Sequence, residues 1–474
     1  MKRFCLKPIF TLTFILYSLF ISAQTELKNQ IVDFGTMLPI ESASIYIQNT
    51  TTGTISNADG KFVLLVPESY ANDTLVVSSI GYKSFKVLVG KFDNSNVIYL
   101  EEDIAALDEV LLVADTRPKT GNEIVLKALE KLSVNFPEAP YVQKGFLRYK
   151  ERNTKEFKWL IESAITLYDS SFTSNSNQNL KINVDQMRKS YDLRDVDSLL
   201  VYTSYLKQEK GLRNLKAKNL KRDTIKTSSL VQAIKWNDRR TNGLEILFGG
   251  KLNILRNSGK SKALFGEDIL KSHQFELDTI LVDNDRKIYK IRIDNGSDYV
   301  NLETKGIYND GYHARGWMYV YWDNYAIKKI EYELVAASPQ QKSRSKVLFG
   351  TQVNHKLVIT FMEYHDKMYP NYLYYETPKL VNVGKSSEGK TDEETEAYNK
   401  EERYYYSVQE LLFTEIVVEP EDVAQEMDKP WDANIFSIKP YDKAFWKNYN
   451  TLLESEEDEQ LIKDLTQRST LYKE

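Results

Sequence analysis

The sequence predicts a mainly β chain with an α+β second part: a small β-sandwich, then helices, then an antiparallel sheet, curved or half closed into a barrel. Three observations carry this. Short runs of period-two alternation recur between residues 25 and 102, each cut by turn residues, at the roughly ten-residue spacing of a sandwich. Longer alternating runs return from His273 onward. The 31 tyrosines and 12% aromatic content suit strands and wet interfaces.

The N-terminus sets the expected compartment. Lys2, Arg3 and Lys7 precede an uncharged apolar run, Ile9 to Ile21, and Ala23 supplies a small residue before Gln24. This is the pattern of a signal peptide over 1–23, cleaved after Ala23, on a protein exported to the periplasm or the outer-membrane periphery. Cys5 lies before the apolar run, where a lipobox cysteine would follow it. It is also the only cysteine, so the mature chain is expected to hold no disulfide and no thiolate metal site. The formal net charge is −4 and becomes more negative once the basic leader is removed, which argues against nucleic acid as a partner.

Within the first unit, expected over 24–102, Ala43 to Gln48 puts Ile45 and Ile47 on one face. Asn57-Ala58-Asp59-Gly60 reads as a turn. Strands follow at Lys61–Val66, Asp73–Ser79, Phe85–Val89 and Asn96–Leu100. Gly60 and Gly81 have structural jobs, turning a hairpin and bending the backbone before Tyr82. Several segments together, Ile31-Val32-Asp33, Leu38-Pro39-Ile40, Gly53-Thr54-Ile55-Ser56, Asp59-Gly60-Lys61-Phe62 and Leu75 to Tyr82, resemble the carboxypeptidase regulatory-like family. The resemblance implies a transthyretin-like seven-stranded sandwich. That family follows some metallocarboxypeptidase domains, precedes the plug of many TonB-dependent outer-membrane receptors, and opens secreted proteins of unknown function. Leu107 to Val113 is similar to the segment leading into a receptor plug, but the remaining chain lacks a barrel's long strand series.

A linker is expected over 103–121, then an α+β domain over 122–440. Asn122 to Val134 has helical spacing, stopped by Pro137 and Pro140. Tyr141–Tyr149 and Phe157–Tyr168 read as strands, and Val196 to Ile254 as helices. Their run Lys207, Lys210, Arg213, Lys216, Lys218, Lys221 and Arg222 reads as a solvated face. Strands follow at Phe275–Val282, Lys287–Asp294, Arg315–Trp322, Tyr325–Ala336, Val353–Tyr364 and Tyr404–Val418. Sequential hairpins imply one antiparallel sheet, in outline similar to periplasmic lipoprotein-carrier folds. The segment 441–474 reads as a C-terminal helix.

Three patterns suggest an enzyme and fail on inspection. Gly384 to Thr391 satisfies the P-loop expression, but the acidic run Asp392 to Glu396 follows where a phosphate-binding helix should start, so no nucleotide is expected. His273 and Glu276 have the H-x-x-E spacing of zinc peptidases, with His355 and His365 as nominal third ligands. On a strand, however, i and i+3 point to opposite faces, so no metal is expected. His365 beside Glu363 and Asp366 reads as a turn residue. The remaining candidate is the strand Trp317 to Trp322. Trp317, Tyr319 and Tyr321 share one face, either as core or as the wall of a site for a lipid, glycan or peptide. The expectation is therefore a non-enzymatic binding or scaffolding protein of the envelope, with no catalytic residue and no cofactor. Its partner would be an envelope protein, peptide, glycan or lipid. The alternatives are a peptidase-like hydrolase and a lipid or lipoprotein carrier with an apolar cavity.

Overall fold

The computed structural model describes residues 24–103 and 117–468, apart from 153–156, 173–179, 192–197, 217–218, 222–223, 227, 231, 234–235, 237–264, 267, 302–310, 350–351, 353, 381–403 and 436–438. The expected signal peptide and the P-loop-like run 384–391 lie outside the described residues.

The first unit has seven strands: β1 (Gln24–Asp33), β2 (Ser44–Ile47), β3 (Gly53–Ile55), β4 (Lys61–Pro67), β5 (Thr74–Ser78), β6 (Phe85–Leu88) and β7 (Ile98–Leu100). They form two sheets, β4-β1-β7 and β3-β2-β5-β6. The long β1 serves two partners, pairing antiparallel with β4 along its first part and parallel with β7 at its end. Alternation decides which side chains meet between the sheets: Leu27, Ile31, Phe62, Leu64 and Val66 face Ile45, Ile47, Leu75 and Val77 in one buried cluster. Gly60 has φ +71°, and a Cβ there would lie 2.3 Å from the Ile31 carbonyl oxygen, so only glycine turns this hairpin without displacing β1. Phe62 is buried and packs against Phe92 at 6.3 Å. Phe62→Ala is expected to cost about 3–5 kcal/mol. A urea midpoint unchanged from wild type would remove Phe62 from the sandwich core.

The second unit begins with α1 (Gly121–Glu130), opened by a capping box in which the Thr120 side chain accepts from Glu123 N–H and the Glu123 carboxylate accepts from Thr120 N–H. After α2 (Leu132–Asn135) come β8 (Tyr141–Arg152), β9 (Phe157–Asp169), β10 (Leu180–Tyr191), α3 (Ser198–Glu209) and α4 (Ile269–Ser272). Next are β11 (His273–Asp283), β12 (Arg286–Asn295), β13 (Tyr312–Tyr321), β14 (Ile327–Ala336), α5 (Pro339–Phe349), β15 (Asn354–Tyr364), β16 (Lys367–Leu380) and β17 (Tyr404–Val417). The chain continues through α6 (Pro420–Met427), α7 (Lys443–Lys447) and α8 (Glu456–Arg468).

All ten strands of this unit join one antiparallel sheet in the order β10-β9-β8-β17-β16-β15-β14-β13-β12-β11. The sheet is open, with no closure into a barrel, because its end strands β10 and β11 do not pair. One face carries the main core. Ile124, Val125 and Ala128 of α1 lie on it with Phe136, whose ring stacks on Phe172 at 4.6 Å and meets Phe361 edge-on at 5.1 Å. Main-chain groups of both end strands find partners outside the sheet. On β11, Asn122 Oδ1 accepts from Phe275 N–H at 2.9 Å, and Gly81 N–H of the sandwich donates to the Val282 carbonyl at 2.8 Å. On β10, Val184 N–H donates to the Asp432 carbonyl at 2.8 Å. Each such bond removes one edge group that could recruit another strand. Gly81, at φ +89°, also accepts from Asp103 N–H, so the bend before Tyr82 holds the sandwich to the sheet.

Several expectations need correction. The stretches that form β10, β16, α5 and α6 are not evident in the sequence. β10 is charged and bulged between Val184 and Gln186, as an edge strand tolerates. β16 contains Pro370 and Pro378, which argue against a strand. Pro370 sits at the register break opposite Phe361, where the ladder loses a bond anyway. The expected helix over 441–474 is two helices, α7 and α8. Residues 448–455 between them are not helical, because their side chains and carbonyls bind the sandwich and the sheet. Lys207, Lys210, Arg213, Lys216 and Lys221 are exposed; Lys218 and Arg222 lie outside the described residues.

Candidate functional site

Directly opposed residues on neighbouring antiparallel strands share a face. One such row crosses the whole ten-stranded sheet on the side away from α1. Its first half is Glu276, Arg292, Trp317, Glu331 and Val358, from β11 to β15. Its second half is Tyr374, Glu410, Arg148, Glu162 and Arg188, from β16 to β10. The two halves have opposite environments. The Glu276 and Arg292 side chains are 64% and 48% exposed, whereas Arg148 and Glu162 are 4% and 3% exposed.

The second half is covered by the sandwich and the C-terminal segment. Ile55 of the sandwich, Phe146, Tyr372 and Leu412 of the sheet, and Trp446 and Leu452 of the segment form one apolar cluster. Beside it, Arg148 donates to Glu162 at 2.9 Å and to the Leu452 carbonyl at 2.6 Å, and lies 2.8 Å from Glu454. Lys150 reaches Asp458 at 2.6 Å and Glu454 at 3.1 Å. Burial alone would discharge these cations, but the surrounding carboxylates outweigh it and hold both pKa values above the ordinary range. Burial also raises Glu454, while Glu410, equally buried, is held below its ordinary value by Lys150 and Arg148. This half is a structural seal.

Among the described residues, the first half is uncovered. A groove of about 660 Å³ runs over β12 to β15, with Trp317 and Val358 in it and Arg292, Asp294, Arg315, Glu331, Glu333 and Lys356 around it. Trp317, Tyr319 and Tyr321 lie under three cations: Lys290 is 4.1 Å from the Trp317 ring centre, Lys329 5.7 Å from that of Tyr319, and Arg286 3.8 Å from that of Tyr321. Only Trp317 of the three lines the groove. Tyr319 and Tyr321 are buried, and the Tyr321 hydroxyl donates to Asp283 at 2.6 Å.

The structure does not bring the nominal metal ligands together. His273 is 1% exposed and faces the α1 side of the sheet, whereas Glu276 faces the solvent side and pairs with Arg292. His273 Nδ1 donates to the Ile269 carbonyl at 3.1 Å, so its Nε2 accepts from the Tyr332 hydroxyl at 2.6 Å. His355 sits between the hydroxyls of Thr377 and Tyr312, at 2.9 and 3.3 Å. His365 and Asp366 both have positive φ, 49° and 58°, and make the two-residue turn between β15 and β16. Among the described residues no group of three His, Cys, Asp or Glu side chains has the geometry to hold a metal.

Burial lowers the His273 pKa to about 4 from its ordinary 6.5, so the folded state keeps the ring neutral while the unfolded chain takes up a proton. Stability should therefore fall as pH drops from 6.5 to 4, by roughly 3 kcal/mol over the interval. Urea titrations across that range are expected to show a smaller fall in His273→Phe than in wild type; equal slopes would rule this out.

Comparison with known proteins bears on the first unit. Residues 28–112 match the CarboxypepD_reg-like domain family. They are a CarboxypepD_reg-like domain. The TonB-dependent receptor SusC of Bacteroides thetaiotaomicron is 36% identical over 93 residues, which is 19% of this chain and 9% of the receptor's length. Among solved structures, a LolA superfamily protein from Nitrosomonas europaea is 11% identical, with coverage of 65% of this chain and 97% of that one and a TM-score of 0.20. A DUF1329 family protein from Desulfovibrio piger is 8% identical, with 62% and 94% coverage and a TM-score of 0.21. The CarboxypepD_reg-like domain thus covers the sandwich and reaches into the segment after it, and the ten-stranded sheet lies beyond the match.

The turn glycines and Trp317 are visible in the sequence as motif and alternation. The buried ionic half of the row is not. Arg148, Glu410 and Glu454 are far apart in the chain, and each alone reads as surface charge.

Proposed function

We propose that this chain is a binding protein of the bacterial cell envelope, and that its ligand site is the open half of the sheet's outer face around Trp317. The observation that carries the reading is the 660 Å³ groove on an ordered sheet, with an aromatic side chain among ionic ones. Its volume falls in the range of about 300–1,000 Å³ typical of ligand clefts. The apolar leader and the CarboxypepD_reg-like domain, shared with a TonB-dependent receptor, support the envelope location. The α1 side of the sheet is filled by Phe136, Phe172 and Phe361, which favours the outer groove over an internal lipid cavity.

Fractionation of expressing cells is expected to place the protein with the envelope. Native mass spectrometry of protein purified from those cells is expected to find a bound species that Trp317→Ala loses while keeping the wild-type circular dichroism spectrum. A cytosolic protein, or a bound species indifferent to Trp317→Ala, would defeat the reading.

A further inference from the structure

Resting on that reading, we propose that the groove binds a neutral oligosaccharide. The first argument is charge. Arg292, Arg315 and Lys356 in the lining are balanced by Asp294, Glu331 and Glu333. Much of this charge is already paired: Arg315 with Glu333, Lys329 with Glu331 and Arg292 with Glu276. A phosphate or polyanion gains little from a site with no net charge, and a cation gains equally little.

The second argument is hydrogen-bonding pattern. Donor-only guanidinium and ammonium groups alternate with acceptor-only carboxylates on adjacent strands, which lie about 4.8 Å apart. Arg315, Glu333 and Lys356 are one such directly opposed series across β13, β14 and β15. A hydroxyl both donates and accepts, so a ring with neighbouring hydroxyls satisfies donor and acceptor together, which a hydrocarbon chain does not. The third argument is the floor. Trp317 and Val358, opposed to Arg292 and Glu331 in the same row, are apolar side chains on which the C–H face of a sugar ring packs, leaving its hydroxyls to the rim. Lys290 occupies one side of the Trp317 ring, 4.1 Å from its centre, and adds a donor at the same level, its charge offset by Asp278 at 3.6 Å. The groove lies open on a sheet surface, as an extended chain of sugars requires.

Isothermal titration of the full mature chain with maltohexaose, cellohexaose, laminarihexaose and chitohexaose is the test, with hexagalacturonic acid and phosphatidylglycerol vesicles as contrasts. At least one neutral hexasaccharide is expected to bind, and Trp317→Ala to weaken it tenfold or more with an unchanged circular dichroism spectrum. Glu331→Gln is a second, milder variant expected to weaken the same sugar. Binding of a neutral sugar indifferent to both variants overturns the proposal. So does Trp317-dependent binding confined to the anionic saccharide or to vesicles. If no neutral hexasaccharide binds while the co-purified species still depends on Trp317, the ligand class is wrong and the groove stands; if that dependence is also absent, both readings fall.

Discussion

Arg148→Met is expected to destabilise the protein by about 3–5 kcal/mol, the usual cost of removing one partner from a buried ionic group. The side chain is 4% exposed and is held by Glu162, Glu454 and the Leu452 carbonyl. Methionine keeps much of the volume, so the loss is electrostatic rather than steric. It leaves Glu162, Glu410 and Glu454 under the same cover with one cation fewer. Adding Glu454→Gln removes one of the carboxylates left behind and should recover part of the loss. Urea denaturation of the single and double variants measures both. A loss below about 1 kcal/mol in Arg148→Met would mean that the seal is wet and the pairs behave as exposed ones do.

Ending the chain after Pro440 is expected to do more. Trp446 and Leu452 are each 5% exposed in the outer-face cluster, and such side chains are worth about 3–5 and 2–5 kcal/mol when truncated in a core. Glu454 and Asp458 leave with them, removing two of the carboxylates that pair with Lys150 and Arg148. The sandwich also loses one of its two fastenings, keeping only that at Gly81: Asn450 accepts from Leu65 N–H at 2.7 Å and donates to the Leu65 carbonyl at 3.0 Å, and Asn57 donates to the Glu454 carbonyl at 2.6 Å. The shortened chain should expose apolar surface to a hydrophobic dye and melt in two steps, sandwich and sheet apart. A single transition at the wild-type temperature would show that the C-terminal segment is an ornament.

The sandwich was legible because its determinants are local. Gly60 must follow a turn, and Leu64 and Val66 alternate with half-buried neighbours within one strand. The same holds for β13, whose Trp317, Tyr319 and Tyr321 share a face under three cations. It failed where a strand borrows its reason from another part of the chain. β16 keeps Pro370 at its register break, and the edge of β10 is capped where Asn183 and Val184 meet Asp432. Residues 448–455 give up a helix for contacts with partners nearly 400 positions away. The site divides along the same line. Its aromatic floor is a property of one strand, whereas its charge balance emerges only when four strands are placed side by side.

The order of strands has a consequence for how the chain comes to be folded. β8 lies between β9, its successor in sequence, and β17, whose residues 406–417 pair with 142–152. Until β17 has been made, β8 to β10 form a short ribbon with one side of β8 unpaired, and β11 to β16 form a second ribbon with no strand to join it to the first. Closing so long a loop makes this junction a late and slow event. An unpaired strand exposed for that time is a template for pairing with a second chain. Refolding yield should therefore fall steeply as protein concentration rises, and a synthetic peptide of the β17 sequence, added early, should compete for the open side of β8 and trap the half-built sheet.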